Sequence, residues 1–143
     1  MTQEDKQLLL KDLCTRLPYG VICRYAAVIP LLGEALNYGP LQEIRRKGEY
    51  FTVNGADCLY DDIKPYLRPM SSMTEEERDE LYTTMDWYGE IDEAGNVYTK
   101  GQEKVYKETF YEYTDWLISH HFDYRGLIEK GLALEASEEM YRL

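Results

Sequence analysis

The hydrophobic pattern of the chain changes from helical to strand-like at Pro18-Tyr19-Gly20, and this change restricts the possible folds. Before it, the apolar residues fall on one face of a helix predicted over 3–17, namely Leu9, Leu10, Leu13, Cys14 and Leu17. Thr2 is suited to cap this helix, and Asp5 places an acid in its first turn. The apolar face of this helix is expected to pack on a neighbouring element.

The region after Gly20 predicts that element to be a small sheet. Asn54-Gly55 is a strong hairpin signal, and Lys47-Gly48-Glu49 marks another turn. Residues 26–40 are interrupted by proline and glycine, and we interpret them as a second strand followed by a loop. The other predicted strands cover 21–25, 41–46, 50–53 and 57–60. Such short strands, close in sequence, predict a small antiparallel sheet, either open or curled into a barrel.

The segment KPYLRPMSSMTEEE, at 64–77, separates this region from the second half. Pro65 and Pro69 favour an extended backbone, so 64–73 is predicted to be a strap and the only boundary-like segment. Thr74 and Glu77 have the spacing of a capping box, which predicts a helix from about 75 to 86. Two prolines four apart do not match the spacing of a Pro-x-x-Pro ligand.

The second half is predicted to be mainly helical. A β-hairpin is expected with strands at 88–91 and 96–99. A helix over 102–121 has an apolar stripe of Tyr106, Phe110, Tyr113 and Leu117. Asp123 could cap a short helix over 124–130, and the tail from Leu132 could dock on the body or on a partner.

These elements predict one α+β domain over 1–143. Its N-terminal helix and antiparallel sheet occupy 1–63, the strap occupies 64–73, and an acidic helical half with one hairpin occupies 74–143. The chain has no run of 18 apolar residues that would predict a membrane-spanning helix. Three widely spaced cysteines without a CxxC motif are typical of a reducing compartment, so a cytoplasmic location is expected.

The charge of the chain lies in its second half. Residues 1–71 have no net charge, whereas residues 72–143 hold 18 Asp/Glu and seven Lys/Arg, a net charge of −11. Such a surface repels nucleic acids and anionic lipids and favours a protein partner, although acidity also serves solubility. Fourteen tyrosines suit either core margins or interfaces. The predicted interaction surface comprises Glu75, Glu76, Asp79, Glu80, Tyr88, Glu90, Asp92 and Glu93.

A second candidate site consists of His120, His121 and Asp123. These residues could bind a metal or serve acid–base catalysis, but cationic or hydrogen-bonding groups also suit the last turn of a helix. The basic run Arg45-Arg46-Lys47 beside Tyr50 is more simply a solvated turn than a nucleic-acid site. No motif predicts a catalytic residue, a resident metal or a cofactor.

Three segments together resemble a group of short proteins from gut anaerobes, whose genes often lie near phage or other mobile-element genes. The segments are LLLKDLCTRLPYGV at 8–21, KPYLRPMSSMTEEE at 64–77 and HHFDYRGLIEKGLALEA at 120–136. The resemblance implies a small cytoplasmic accessory protein and supplies no catalytic residues.

From the sequence we therefore expect a non-enzymatic, protein-binding accessory or regulatory protein that uses its acidic, Tyr-rich half. One alternative is a polyanion mimic, which would bind a basic protein in place of nucleic acid. The other alternative is a small enzyme or metal site around the two histidines and Asp123.

Overall fold

In the computed structural model, the described residues are 1–26, 37–85, 90–91, 97–98 and 107–141. Their contacts divide the chain into two units. Unit 1 consists of residues 1–67 and 125–143, and unit 2 of residues 68–124. The change of unit at residue 68 falls inside the predicted strap, whereas the C-terminal residues group with the sheet and not with the helical half. That 1–143 is one domain stays a prediction.

Helix α1 opens unit 1 and spans Gln3–Arg16, close to its predicted bounds. Its cap is a reciprocal capping box: the Asp5 amide donates to Thr2 Oγ1 at 3.0 Å, and the Thr2 amide donates to Asp5 Oδ2 at 3.2 Å. Leu9 and Leu13 are fully buried and Leu10 and Leu17 partly buried, as predicted, but Cys14, predicted on the same face, is exposed. A short 3-10 turn and the left-handed Gly20 (φ 69°) then end the helical segment.

A six-stranded sheet forms the other layer of unit 1. Its strands, numbered in chain order over the whole protein, are β1 (Ile22–Tyr25), β2 (Asn37–Arg45), β3 (Tyr50–Val53), β4 (Ala56–Cys58), β5 (Ile63–Leu67) and β8 (Leu134–Glu135). The order across the sheet is β4-β3-β2-β1-β5-β8. The predicted Asn54-Gly55 hairpin joins β3 to β4, and both residues have the positive φ that this turn requires (51° and 77°). The α+β class is confirmed.

The sheet differs from the prediction in several respects, one of which is that β2 already begins at Asn37, inside the stretch predicted as a loop. It is mixed rather than antiparallel, because β5 and β8 run parallel, with Tyr66 opposite Leu134. It also includes the first part of the predicted strap, since β5 lies between β1 and β8. The extended backbone that Pro65 favours is the conformation of a strand. Residues 63, 65 and 67 are buried and alternate with the less buried residues 64 and 66, as in a strand that packs one side on a core. In contrast, the strand predicted over 57–60 ends at Cys58, and a 3-10 turn follows over Tyr60–Asp62.

One hydrophobic core joins α1 to the inner face of this sheet. Its members come from α1, from the strands and from the returning C-terminal segment: Leu9, Leu13, Val21, Cys23, Leu41, Phe51, Val53, Cys58, Ile63, Leu67, Leu127, Leu132 and Ala133. Burial of these side chains is the main stabilising contribution in unit 1.

The C-terminal segment docks on unit 1. Docking on the body of the protein was one of the two alternatives predicted for it, the other being docking on a partner. Beyond β8, the Ala136 amide donates to the Leu67 carbonyl at 2.8 Å. The Tyr141 hydroxyl donates to the Tyr66 carbonyl at 2.6 Å and accepts from the Ile22 amide at 2.9 Å. The short helix predicted over 124–130 is wrong: this stretch is a series of turns, because Gly126 has a left-handed backbone (φ 75°) that a helix does not accommodate.

Unit 2 contains α2 (Glu75–Met85), a short hairpin of β6 (Glu90–Ile91) and β7 (Val97–Tyr98), and α3 (Lys107–Ser119). These elements confirm the predicted hairpin, the helix after the strap and the described part of the 102–121 helix; residues 99–106 lie outside the described residues. Its buried cluster is Leu81, Tyr113, Trp116, Leu117 and Phe122. None of the described helices is long and apolar enough to cross a bilayer.

Candidate functional site

The acidic residues predicted as an interaction surface are described only in part. Glu75, Glu76, Asp79 and Glu80 all lie on α2 and are exposed. Glu90 lies on β6, whereas Tyr88, Asp92 and Glu93 lie outside the described residues. The four α2 residues are the main described part of this surface, and we call them the acidic face.

The acidic face occupies one side of α2. At ~100° per residue, Glu75, Glu76, Asp79 and Glu80 span about 140° of the helix circumference. The opposite side carries Leu81, which is fully buried. Arg78, the only cation in α2, is also exposed and sits at the margin of this sector. The helix therefore presents four carboxylates in the direction opposite to its buried side.

The N-terminus of α2 is fixed by the capping box that the sequence predicted. The Glu77 amide donates to Thr74 Oγ1 at 3.1 Å, and the Thr74 amide donates to Glu77 Oε1 at 3.2 Å. Three glutamates in the first turn also interact favourably with the positive end of the helix dipole. The direction of the exposed carboxylates is thus set by a well-defined helix start.

A continuous stack of planar groups supports this helix, and we call Arg68, Phe122, Trp116 and His120 the aromatic stack. The Arg68 guanidinium lies 4.1 Å from the centre of the Phe122 ring. Phe122 and Trp116 are nearly parallel, with ring centres 5.9 Å apart, and Trp116 and His120 stack at 3.9 Å. Such cation–π and stacked contacts hold the side chains in fixed orientations.

Two carboxylates of α2 contact the two ends of the aromatic stack. Glu77 accepts two hydrogen bonds of 2.6 Å from the Arg68 guanidinium, a bidentate pair. At the other end, Glu80 Oε1 lies 3.7 Å from His120 Nε2. Because Glu80 belongs to the acidic face, that face contacts the aromatic stack at its His120 end.

The Glu77–Arg68 pair predicts how unit 2 responds to acid. The hydrogen bonds from Arg68 lower the pKa of Glu77 against the opposing effect of burial, with a further contribution from Thr74. A carboxyl whose folded pKa lies below its unfolded pKa adds stability above the unfolded value, and this stability is lost as pH falls through the folded pKa. We expect Glu77→Gln to remove that part of the acid-induced loss of stability.

The measurement is urea unfolding of unit 2 at several pH values between about 6 and 3, the range of carboxyl titration. Both tryptophans, Trp87 and Trp116, lie within residues 68–124, so tryptophan fluorescence is a probe placed in unit 2. Glu76→Gln is the matched control, since Glu76 is exposed on the same turn. Identical pH dependence in the two variants would contradict the role given to Glu77.

The histidines of the second candidate site take mainly structural positions. His120 Nδ1 lies 2.9 Å from the Trp116 carbonyl and 3.1 Å from Ser119 Oγ, which agrees with the expectation of a group at the last turn of the helix. His121 follows with a left-handed backbone (φ 66°), and Asp123 is buried, its amide donating to the Arg68 carbonyl at 2.8 Å. Within the described parts of the chain, no three His, Cys, Asp or Glu side chains are grouped so as to hold a metal.

The two buried cysteines do not have the lowered pKa of a catalytic thiol. Burial is the largest cause that raises the pKa of the Cys23 thiol far above its usual range, and Asp12 adds to it. Burial, followed by Asp62 and Asp57, raises the pKa of Cys58 to about 11. Cys14 is exposed. Both buried thiols are therefore protonated at neutral pH, whereas a nucleophilic cysteine needs a lowered pKa.

Within the basic run, Arg46 and Lys47 lie in a turn, as expected, whereas Arg45 is the last residue of β2. Arg45 pairs with Asp57 at 3.2 Å, and both side chains are about half exposed. The Arg46 guanidinium lies 5.8 Å from the centre of the Tyr50 ring. These contacts satisfy two of the three cations within the protein.

Sequence reasoning missed a buried ionic cluster in unit 1. Asp12 and Arg16, both fully buried, form a pair of 2.7 Å between Asp12 Oδ2 and Arg16 Nε. The second carboxylate oxygen of Asp12 accepts from Arg125 Nη1 at 3.1 Å. The i, i+4 spacing of Asp12 and Arg16 was visible in the sequence, but such pairs usually lie on the surface. The third member comes from a segment that is 113 residues away from Asp12.

No family model matches the sequence, and no curated protein or solved structure matches it significantly. The site is therefore interpreted from its own geometry.

Proposed function

We propose that the chain is a non-enzymatic accessory or regulatory protein that binds a basic surface of another protein through the acidic face of α2. The single observation that carries the proposal is the exposure of Glu75, Glu76, Asp79 and Glu80 on one side of α2, opposite its buried side. An accessory role is also what the resemblance to short proteins of gut anaerobes implies.

Electrostatics supports this proposal through the charge of unit 2. Residues 68–124 hold 14 Asp/Glu and five Lys/Arg, a net charge of −9, whereas unit 1 holds 13 and 11, a net charge of −2. A surface whose charges share one sign accelerates association with a partner of opposite charge and repels partners of like charge. Because exposed ion pairs are weak and screened by salt, binding through this face should be sensitive to ionic strength.

Preorganisation also supports it. The capping box fixes the start of α2, and the Glu77–Arg68 pair joins the helix to the aromatic stack. A partner therefore meets carboxylates on an already formed helix, which lowers the ordering cost of binding. Long side chains such as lysine and arginine on the partner would supply the complementary charge.

The test is an affinity pull-down from lysate at low and high salt, with mass spectrometry of the eluted proteins. The test variant carries Glu75→Gln, Glu76→Gln, Asp79→Asn and Glu80→Gln. The control variant carries Glu4→Gln, Glu49→Gln, Glu138→Gln and Glu139→Gln, four exposed acids of unit 1 that give the same change in net charge.

We expect a basic protein that the unmodified chain and the control retain at low salt, that high salt releases, and that the test variant does not retain. Equal retention by the test and control variants would show that net charge, and not this face, governs the interaction. The absence of any salt-sensitive basic protein would contradict the proposal.

The polyanion-mimic alternative concerns the same acidic face but requires that its partner be a nucleic-acid-binding protein. Carboxylates on successive turns of a helix would have to replace phosphates on the partner's nucleic-acid site. Addition of duplex DNA to the captured complex separates the two proposals: release of the chain in proportion to the DNA concentration supports mimicry. A complex that DNA leaves intact supports a partner surface that does not bind nucleic acid.

A further inference from the structure

The outer face of the sheet in unit 1 has an unusual composition for a surface. Cys23, Gly39 and Pro65 are buried and lie opposite one another in the register of β1, β2 and β5, so the residues that alternate with them lie on the other side of these strands. We call this side the outer face, and its residues are Ile22, Arg24, Tyr38, Pro40, Lys64 and Tyr66. Two of these six residues are tyrosines, two are cations and none is an acid, whereas Glu43, beyond the bulge in β2, is an exposed acid.

The strand register places these side chains next to one another. Arg24 of the central strand β1 lies opposite Tyr38 on one side and Lys64 on the other. Tyr38 is 59% exposed, which is high for an aromatic residue within a strand. Its ring meets that of Tyr66 edge to face, with centres 6.4 Å apart. The two rings therefore form an aromatic surface beside the two cations.

Arg24 and Lys64 are both partly exposed. Neither Arg24 nor Lys64 makes an ion pair or a side-chain hydrogen bond with any residue that the structure describes. Arg45, on the same strand as Tyr38, is by contrast already paired with Asp57. Unit 1 has a net charge of only −2. The electrostatic repulsion of polyanions that the total charge of the chain predicts therefore comes mainly from unit 2.

We infer that the outer face binds single-stranded nucleic acid. Its exposed ring offers a stacking platform for a base, and the neighbouring Arg24 and Lys64 offer contacts for the adjoining phosphates. Proteins bind single strands in this way without reading sequence, because every base has a planar face and every linkage an anionic phosphate. Planar groups alternate with anionic groups in a nucleic-acid strand, and this alternation fits the outer face better than an acidic peptide, which would use the cations alone.

The experiment measures the fluorescence anisotropy of a labelled oligo(dT) probe titrated with the full chain at low salt. Tyr38→Ala should weaken binding about fivefold or more, because stacking of a base on an aromatic ring is lost. Tyr19→Ala is the matched control: Tyr19 is 44% exposed but lies outside the sheet, so affinity should not change.

The salt dependence tests the two cations separately. For a single strand, the slope of log K against log salt is about −0.7 for each phosphate that is neutralised, so two contacts predict about −1.4. Arg24→Gln should reduce this slope to about −0.7. Lys47→Gln, an exposed cation in the turn after β2, should leave it unchanged.

Three results would overturn the inference. The first is the absence of binding to oligo(dT) at low salt. The second is binding that Tyr38→Ala and Tyr19→Ala affect equally, which would place the strand elsewhere. The third is displacement of the probe by poly-glutamate as effectively as by unlabelled oligo(dT), which would identify the outer face as a site for acidic peptides.

Discussion

Replacement of Asp12 by alanine is expected to lower the free energy of unfolding of unit 1 by about 3–5 kcal/mol, the usual cost of removing one partner of a buried pair. The Asp12 carboxylate lies between the guanidinium groups of Arg16 and Arg125, with contacts of 2.7 and 3.1 Å. Arg16 is fully buried, and the Arg125 side chain is only 14% exposed. Without Asp12, two positive charges face each other in a region that water screens poorly.

Urea unfolding followed by far-UV circular dichroism measures this effect, and tryptophan fluorescence shows whether unit 2 is affected. Arg45→Gln is the matched control, because it removes an exposed ion pair that should contribute less than about 1 kcal/mol. A loss of similar size in both variants would mean that the buried cluster is no more important than a surface pair.

Replacement of Phe122 by alanine should cost unit 2 about 3–5 kcal/mol, the range measured when large buried aromatic side chains are truncated. Phe122 is fully buried and lies within the aromatic stack, between Arg68 and Trp116. Its removal leaves a cavity and also removes the surface on which the Arg68 guanidinium lies. We therefore expect the bidentate Arg68–Glu77 pair to weaken as well.

Tryptophan fluorescence during urea unfolding measures the loss directly. Phe122→Leu is the informative companion, because it keeps most of the apolar volume but removes the ring, and it should cost clearly less than alanine. Ser71→Ala, an exposed change in the same unit, should have little effect. If leucine and alanine proved equally costly, the stacked arrangement rather than the buried volume would account for the loss.

Local signals in the sequence predicted the parts of the fold that depend on near neighbours. The caps of α1 and α2 join residues three apart, and the hairpin turn at Asn54-Gly55 depends on two adjacent residues. In each case the chemistry of the interaction is contained within a few consecutive side chains. These elements were accordingly found close to their predicted bounds.

The segment over 64–70 shows why other parts escaped prediction. Its extended conformation followed from Pro65 and Pro69, but its role as a strand depends on partners elsewhere in the chain. Cys23 pairs with Pro65, and Leu134 pairs with Tyr66, 68 residues further along. Nothing within the segment identifies those partners, so an inner strand was interpreted as a strap.

The candidate site was predictable to a similar degree. The exposed acids of α2 followed from composition and helical period, and the spacing of four residues between Trp116, in α3, and His120, just after it, is visible in the sequence. The contact of Phe122 with Arg68, by contrast, joins residues 54 apart and has no local signal. The outer face was equally hidden, because Tyr38, Arg24 and Lys64 come from three strands whose register only the structure gives.

The return of the C-terminal segment to the sheet also bears on the order in which the chain is made. Residues 68–124 leave the ribosome before residues 125–141, so unit 2 can acquire its contacts while β8, Arg125 and Tyr141 are still being synthesised. During that interval β5 lacks its parallel neighbour, and Asp12 and Arg16 lack the third member of their cluster. Until synthesis reaches Tyr141, the nascent sheet therefore exposes an open strand edge, which is a target for chaperones and for unwanted pairing with other chains.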